Sequence, residues 1–374
     1  MRILALVPYP HDTAPGQRFR MEQWAPLLGR FGVEVVFEPF RCEEMHRLFS
    51  GPDHTWRKVL LTSRALARRA GVLKRVKDFD LVYVYNEAAM LGPALIESYL
   101  RAKGVPLVFD FDDAIFLRGT HSGTFNPYLR PLKFPGKTKA ICRLASHVIA
   151  GNQYLAAYAA GAGAQVTVVP TTIDTGKYTP RGPASGAGLP VIGWSGSYST
   201  AQHLDVARAV VQRLARTERF RLRVIGVADY RLDGVEVEAV PWNAETETAD
   251  LSAIDIGIMP LPENEWTRGK CGLKALQYMA LGIPAVCSPV GVNLNIIRDG
   301  RNGLLAATED EWIEKLTRLL RSAPLRERLG AAGRETVEAE YSTSVHAPRV
   351  YRLFKSVVRG AVAEEEPAEL LFED

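Results

Sequence analysis

The stretch RGKCGLKALQYMALGIPAVCSPVGVN, residues 268–293, decides the fold. It reads as a glycine-containing turn, a helix, a Gly-Ile-Pro break, a short buried strand and a second glycine turn. A turn that feeds a helix start collects backbone N–H groups with no intrahelical partner, and the helix dipole adds partial positive charge. Arg268, Lys270 and Lys274 bring three full charges to the same place. With a helix beginning near Lys270, the four-then-three spacing sets Lys270, Lys274 and Gln277 on one face. An anion suits that arrangement, and a diphosphate most of all. The bland alternative is a surface helix with stray lysines. The helix lies between apolar strands of an α/β layer, which favours the anion site.

Working back to the N-terminus, the same strand-turn-helix grammar recurs. MRILALVP is a short apolar run ended by proline, the mark of a buried parallel strand. The loop and helix start after it carry Gly16, Gln17, Arg18 and Arg20, and loops following parallel strands are where α/β proteins place ligands. VEVVFEPF and DLVYVYNEA supply the next strands, the latter ending in Asn86 and Glu87. VPLVFDFDDAIF ends in Asp110, Asp112 and Asp113. That cluster could hold a divalent metal with a diphosphate, cap the next helix or orient a substrate hydroxyl; with no His or Glu beside it, metal is the less favoured reading. Residues 118–139 have glycine, proline and aromatics without periodicity and read as a mobile loop over a cleft. ASHVIAGNQYLAAYAAGAGAQVTVVPTTID is strand, helix, strand and turn.

Residues 176–190 lose all periodicity and fill with Gly, Pro, Ser and Ala, as a linker does. The grammar then restarts with VIGWSGSYST, a strand and a Gly-Ser loop holding Gly196 and Ser197. This divides the chain into a first domain at 1–175 and a second at 191–344. A last helix at 345–360 completes the first domain, and an acidic tail follows at 361–374.

Composition bounds the function. At 374 residues, with 47% hydrophobic and 24% charged content, the chain suits two well-cored domains. No apolar run is long enough to span a bilayer. Cys42, Cys142, Cys271 and Cys287 are scattered without a C-x-x-C pair, against zinc or a disulfide framework, and a reducing cytoplasm is expected. Residues 1–183 carry 24 Lys and Arg against 15 Asp and Glu, while the remainder carries 22 against 27. The basic half includes a stretch from Trp56 to Lys77 with eight cations and no acid. Val59, Leu66, Ala70, Leu73 and Val76 sit at helical spacing, so one face is expected to pack and the other to meet an anionic membrane surface rather than nucleic acid.

Two segments carry a family resemblance. HVIAGNQYLAAYAAGAGAQVTVVPTTIDTGKYTP resembles the end of the first domain in family-4, retaining GT-B glycosyltransferases. RGKCGLKALQYMALGIPAVCSPVGVNLNIIRDGRNGLLA resembles their donor-binding segment, and IDIGIMPLPENEW the strand before it. The resemblance implies an α/β GT-B fold of two Rossmann-like domains facing across a cleft, with the C-terminal helix crossing back. Three departures are visible. Gly269 and Gln277 stand where the family usually has glutamates, residues 197–200 (Ser197 to Thr200) where it has an Arg and a Lys, and the DFDD cluster where it often has a His.

The implied activity is transfer of a sugar, with retention, from a UDP- or GDP-type nucleotide sugar to a hydroxyl of a glycan or lipid-linked acceptor, without cofactor or metal. The donor would be held by Gly196, Ser197, Trp242, Asn243, Arg268, Gly272, Leu273, Gln277 and Asn293. Trp242 and Asn243 would lie near the base, and Gln277 near the ribose. Lys270 and Lys274, with Asp112 and Asp113, would carry the chemistry. Gly16, Arg18, Arg20, Asn86 and Glu87 would position the acceptor. The enzyme would be cytoplasmic, peripheral on the inner face of the membrane. A sugar-nucleotide epimerase of the same shape and a non-catalytic nucleotide-sugar-binding subunit are the alternatives.

Overall fold

The structure, a computed structural model, describes residues 1–49, 55–117, 134, 136–180 and 188–360. Two six-stranded sheets, parallel throughout, organise them. The first is built from β1 (Arg2–Val7), β2 (Glu34–Pro39), β3 (Leu81–Tyr85), β4 (Leu107–Phe111), β5 (His147–Ala150) and β6 (Val166–Val168) in the order β2-β1-β3-β4-β5-β6. The second uses β7 (Val191–Ser195), β8 (Arg221–Ile225), β9 (Val237–Val240), β10 (Ile256–Met259), β11 (Ala285–Cys287) and β12 (Leu304–Leu305) in the order β12-β11-β10-β7-β8-β9. Every residue of β3, β4, β5 and β7 is buried, because helices cover both faces of each sheet. Continuous apolar runs such as LVYVY are the sequence form of that burial.

Each sheet reverses its strand order once, between β1 and β3 in the first and between β7 and β10 in the second. Loops leaving the strand ends diverge at such a switch point and open a crevice. The expected ligand loops lie there, after β1 and β3 on one side and after β7 and β10 on the other.

The chain end ties the halves together. The backbone N–H of Ile173 donates to Tyr341 O at 2.8 Å, and that of Thr343 donates to Ile173 O at 3.0 Å. Ser342 then caps the helix Thr343–Arg359. That helix packs Val350, Leu353 and Phe354 into the core of the first sheet with Ile3, Tyr83 and Trp24, so it crosses back as expected.

The basic helix Thr55–Leu73 turns only part of the expected face inward: Leu73 packs against the first-sheet core, as does Val76 just beyond the helix. Leu61, Ala65 and Arg69 are the buried positions, whereas Val59 and Leu66 are exposed, as is Ala70. Arg69 takes a core place because its guanidinium donates to the carbonyls of Glu38 (2.7 Å) and Val7 (3.2 Å). The cleft loop expected at 118–139 ends sooner, since Lys137 and Lys139 belong to the helix Lys137–Leu144; residues 118–133 and 135 lie outside the described residues. So do residues 181–187 of the expected linker and the tail at 361–374.

Candidate active site

The first-sheet and second-sheet loops meet at the end of β4. Lys270 Nζ donates to Asp113 Oδ1 at 2.8 Å, with both groups partly open to solvent. Beside it the Cys271 thiol donates to the Asp112 carbonyl at 3.1 Å, and Asn152 Nδ2 donates to the Lys270 carbonyl at 3.1 Å. Asn152 also caps the helix Gln153–Gly161. The approach is tight enough to explain Gly269. A Cβ there would stand 2.6 Å from Ala114 Cβ and 2.9 Å from its backbone nitrogen, so the glutamate of the family pattern has no room in this arrangement.

The helix behind this seam is Leu273–Ala280 and starts three residues later than expected, so Lys270 lies in the turn before it and not on its face. Gly272 has φ +72° and supplies no side-chain cap, which leaves the first-turn amides, including Leu273, to other acceptors. Lys274 is half-buried with Nζ 5.3 Å from the centre of the Trp194 ring. Burial and the charge of Lys270 push its pKa down to about 8. His203, in the turn Ala201–Ala207 after the β7 loop, is buried and close enough to feel both lysines. The β7 loop is a hydroxyl cluster: the Ser197 backbone N–H donates to Thr200 Oγ1 at 2.9 Å, and Ser197 and Ser199 share a hydrogen bond of 2.9 Å. Gly196 N donates to Ile225 O at 3.0 Å beneath it.

A second, buried contact joins the domains. Arg18 donates to both Glu247 carboxylate oxygens at 3.2 and 2.8 Å and to Asp12 at 2.5 Å. Glu247 also accepts from Tyr178 Oη at 2.6 Å, Trp242 Nε1 at 2.9 Å and Gln277 Nε2 at 3.4 Å. Burial opposes the Glu247 charge, but the Arg18, Tyr178 and Trp242 contacts outweigh it and hold its pKa below the ordinary value. The Arg18 guanidinium lies 5.2 Å from the Trp242 ring centre. Arg18, Trp242 and Gln277 therefore meet in one network, and these side chains are spent on holding the domains.

Other expected site residues are placed as follows. Gly16 backs onto Asp112 and the Tyr85 hydroxyl, and a Cβ there would come within 2.8 Å of Asp112 Oδ2. Tyr85 Oη donates to Asp112 Oδ1 at 2.6 Å. Burial, then the Asp113 charge, raise the Asp112 pKa to about 6, so this carboxyl changes charge near neutrality. Asn86 has φ +59° and a buried Oδ1 with no hydrogen-bond partner. Glu87 bridges to Lys137 at 2.9 Å. Arg268 pairs with Glu263 at 2.9 Å and stays exposed, and Asn243 caps its own turn by accepting from the Glu245 N–H at 2.9 Å.

Two further expected site residues are turned inward. Arg20 is wholly buried, bonded to Asp110 (2.7 Å) and the Val169 carbonyl (2.8 Å), so it fixes a loop and meets no acceptor. Asn293 is also wholly buried, and its Nδ2 donates to the Ser288 carbonyl at 3.0 Å as a brace of the second glycine turn. The DFDD cluster divides: Asp110 goes to Arg20 and Tyr83, Asp112 to Tyr85, and Asp113 to Lys270. Among the described residues no group of three or more acidic, His or Cys side chains is placed to share a metal ion.

His203, Glu247, Tyr178 and Asn152 escaped the sequence reading. Glu247 stands among other acidic residues in NAETETAD, and nothing there singles it out. His203 sits three residues beyond a Ser-Thr loop, in no motif. Asn152 did carry a signal, an N-cap residue between a strand and a helical run.

Comparison with known proteins agrees with this geometry. Residues 189–322 match the family described as "Glycosyl transferases group 1". The chain is 26% identical to a D-inositol 3-phosphate glycosyltransferase of Nocardioides sp. over 88% of its own length and 80% of the relative's. Its fold is similar to a sucrose-phosphate synthase from Thermosynechococcus elongatus (TM-score 0.71, 16% identity, 96% of this chain and 100% of that one). It is similar again to Anabaena HepE in complex with UDP and glucose (TM-score 0.66, 16% identity, 95% and 100% covered). With the paired parallel sheets, the crossing helix and the donor-type segment all in place, the chain has the GT-B fold of a glycosyltransferase and is similar to the family-4 enzymes.

Proposed function

We propose that the chain moves a hexose from a nucleoside-diphosphate sugar, with retention, to a hydroxyl of a polyol-phosphate or lipid-linked acceptor. The observation that carries this reading is the Lys270–Asp113 contact. It sets the cationic start of the helix Leu273–Ala280 directly against the carboxylates at the end of β4. The leaving diphosphate would be met by Lys270, Lys274 and the amides around Gly272 and Leu273, with Arg268, Gly196 and Ser197 at the rim. Charge preorganised in this way is commonly the largest catalytic contribution. Asp112, backed by Gly16 and Tyr85, would orient the sugar or the acceptor hydroxyl, with Asn86 nearby. In the retaining reaction the acceptor oxygen bonds to the anomeric carbon on the face the diphosphate leaves, and its proton passes to the leaving phosphate. The Nocardioides relative is named for inositol 3-phosphate and HepE is held with UDP and glucose, which supports a UDP-type donor and an inositol-phosphate-type acceptor. Incubation with UDP- and GDP-hexoses and inositol 3-phosphate or phosphatidylinositol, with the product anomer read by NMR, tests it. An epimerised donor without transfer, an inverted product, or binding without transfer would each replace it.

Membrane contact has a specific basis in the helix Thr55–Leu73. Its outward ridge is apolar, with Trp56 87%, Val59 52%, Leu60 50% and Leu66 41% exposed, and the cations Arg57 and Arg64 lie alongside. An apolar ridge flanked by cations fits the boundary of an anionic bilayer, and no described helix is long and apolar enough to cross one. The enzyme would then work at the cytoplasmic face, where a lipid-linked acceptor is met. Trp56→Glu with Leu60→Glu should abolish co-sedimentation with phosphatidylglycerol vesicles; unchanged co-sedimentation removes the reading.

A further inference from the structure

The segment that carries Gly16 is gripped from both domains. Gly16 and Arg18 share one helical turn, closed by the Arg18 N–H donating to Ala14 O at 3.0 Å. On one side of that turn Gly16 backs onto the Asp112 carboxyl and the Tyr85 hydroxyl, with no room for a Cβ between them. On the other side Arg18 reaches Glu247, which is 3% exposed and takes both ends of the guanidinium. Glu247 is itself fixed by Tyr178, Trp242 and Gln277, so its place is set by the second domain. Phe19 follows Arg18 inward, its ring buried in the second-sheet core with Ile225, Leu251 and Tyr278. One residue on, the backbone leaves helical geometry at Arg20 (φ −128°, ψ −116°), and Arg20 turns back to Asp110 of β4. Taking one partner from a buried ion pair strands the other charge, so the turn keeps one position while the pair stands.

We propose that Glu247 is a positioning residue for Asp112: acting through Arg18 from the second domain, it holds the Gly16 turn against the Asp112 carboxyl. The carboxyl is then set in place only while the two domains are fastened. This rests on the reading of Asp112 as the group that orients the sugar or the acceptor hydroxyl. The groups around Asp112 are Tyr85 from β3, Asp110 and Asp113 from the end of β4, Arg20 from the same segment as Gly16, and Lys270 and Cys271 from the second domain. Burial, then the Asp113 charge, raise its pKa to about 6 against the pull of Arg20 and the Tyr85 hydrogen bond. The Gly16 turn supplies part of that burial. Loosening it admits water to the carboxylate and lowers the value toward the ordinary one of about 3.9. The direction identifies the cause. Through its field alone, loss of the Arg18 cation would raise the Asp112 value and loss of the Glu247 anion would lower it; through the turn, both lower it.

The test is an NMR titration of protein labelled at aspartate Cγ, the Asp112 signal being assigned by its loss in Asp112→Asn. The wild-type midpoint is expected at about 6. In Arg18→Met it should lie at least about one pH unit lower, and likewise in Glu247→Gln. The double variant Arg18→Met/Glu247→Gln should fall no further than either, because residues acting in one chain do not add. A wild-type midpoint at the ordinary value, an unmoved or raised midpoint in folded Arg18→Met, or a double variant shifted by the sum of the two overturns the inference. Where a single variant does not fold, the double, which leaves neither member of the pair charged, is compared with wild type and carries the same expectation. The titration needs no substrate, so wild type that transfers no sugar strikes the transferase reading while the midpoints still decide the contact. In active enzyme the acid limb of kcat/KM should move with the midpoint; a limb that stays while the midpoint moves takes Asp112, and this inference with it, out of the reaction.

Discussion

Placing a glutamate at 277, as the family pattern would have it, should damage this protein, and the damage should depend on pH. Gln277 Nε2 lies 3.4 Å from Glu247 Oε1 and 3.3 Å from Tyr178 Oη. In Gln277→Glu a carboxylate oxygen takes the place of that amide, facing a carboxylate already held ionised by Arg18. Two like charges at that separation repel by about 5 kcal/mol at an effective dielectric of about 20, and Arg18 cancels part of this. Protonation sets a ceiling on the rest. Keeping a carboxyl of ordinary pKa about 4.3 neutral costs about 4 kcal/mol at pH 7.5 and about 1 kcal/mol at pH 5. The expected loss is therefore about 2–4 kcal/mol at pH 7.5 and about 1 kcal/mol or less at pH 5. The sign follows from linkage: the new carboxyl has a folded pKa above its unfolded one, so the penalty is absent below the unfolded value. It grows as pH rises and levels off above the folded value. Urea unfolding of wild type and variant at pH 5 and pH 7.5, followed by tryptophan fluorescence, measures it. A variant as stable as wild type at pH 7.5, or one losing as much at pH 5 as at pH 7.5, would refute the reasoning.

Lys270→Ala should lower turnover by about 10²-fold or more, the scale of losing one charge-stabilising group, with folding retained because Lys270 is partly exposed. Near wild-type transfer in a coupled assay would show that the diphosphate lies elsewhere. With Asp112 ionising at about 6, kcat/KM should rise with pH through that value as the carboxylate forms. Asp112→Asn should lower activity and flatten the limb; a limb that persists in the variant belongs to another group.

How much of this was legible in the sequence follows from where the determinants lie along the chain. The parallel strands were plain, because LVYVY and LVFDF are buried on both faces and so read as unbroken apolar runs. Apolar periodicity finds the basic helix but only part of its inward face, since Leu73 and Val76 pack inward while Val59, Leu66 and Ala70 do not. Periodicity counts apolar residues, and here Arg69 fills a core position while Trp56 and Leu60 face out. Arg20 was read as a ligand contact for a related reason. Nothing local separates an arginine that faces a cleft from one whose partner, Asp110, lies 90 residues away.

The two missing glutamates show the limit most clearly, since each has a cause on a different element. At 269 the obstacle is Ala114 of the other domain, whose backbone and Cβ occupy the space a side chain would need. At 277 a carboxylate is present after all, but it is that of Glu247, presented from a separate helix and shared with Arg18, Tyr178 and Trp242. Gln277 is then the residue that fits, because its amide donates to a carboxylate that a second acid would repel. Read along the chain, the pair looks like lost catalytic residues. Read in space, each position answers to its own neighbour, Ala114 at 269 and Glu247 at 277, and both lie where the two sheets' loops are fastened together. Activity of Gln277→Glu per folded molecule, the folded fraction being taken from its urea unfolding, separates the two readings: lost catalytic residues predict a gain, and a network built around Gln277 predicts none.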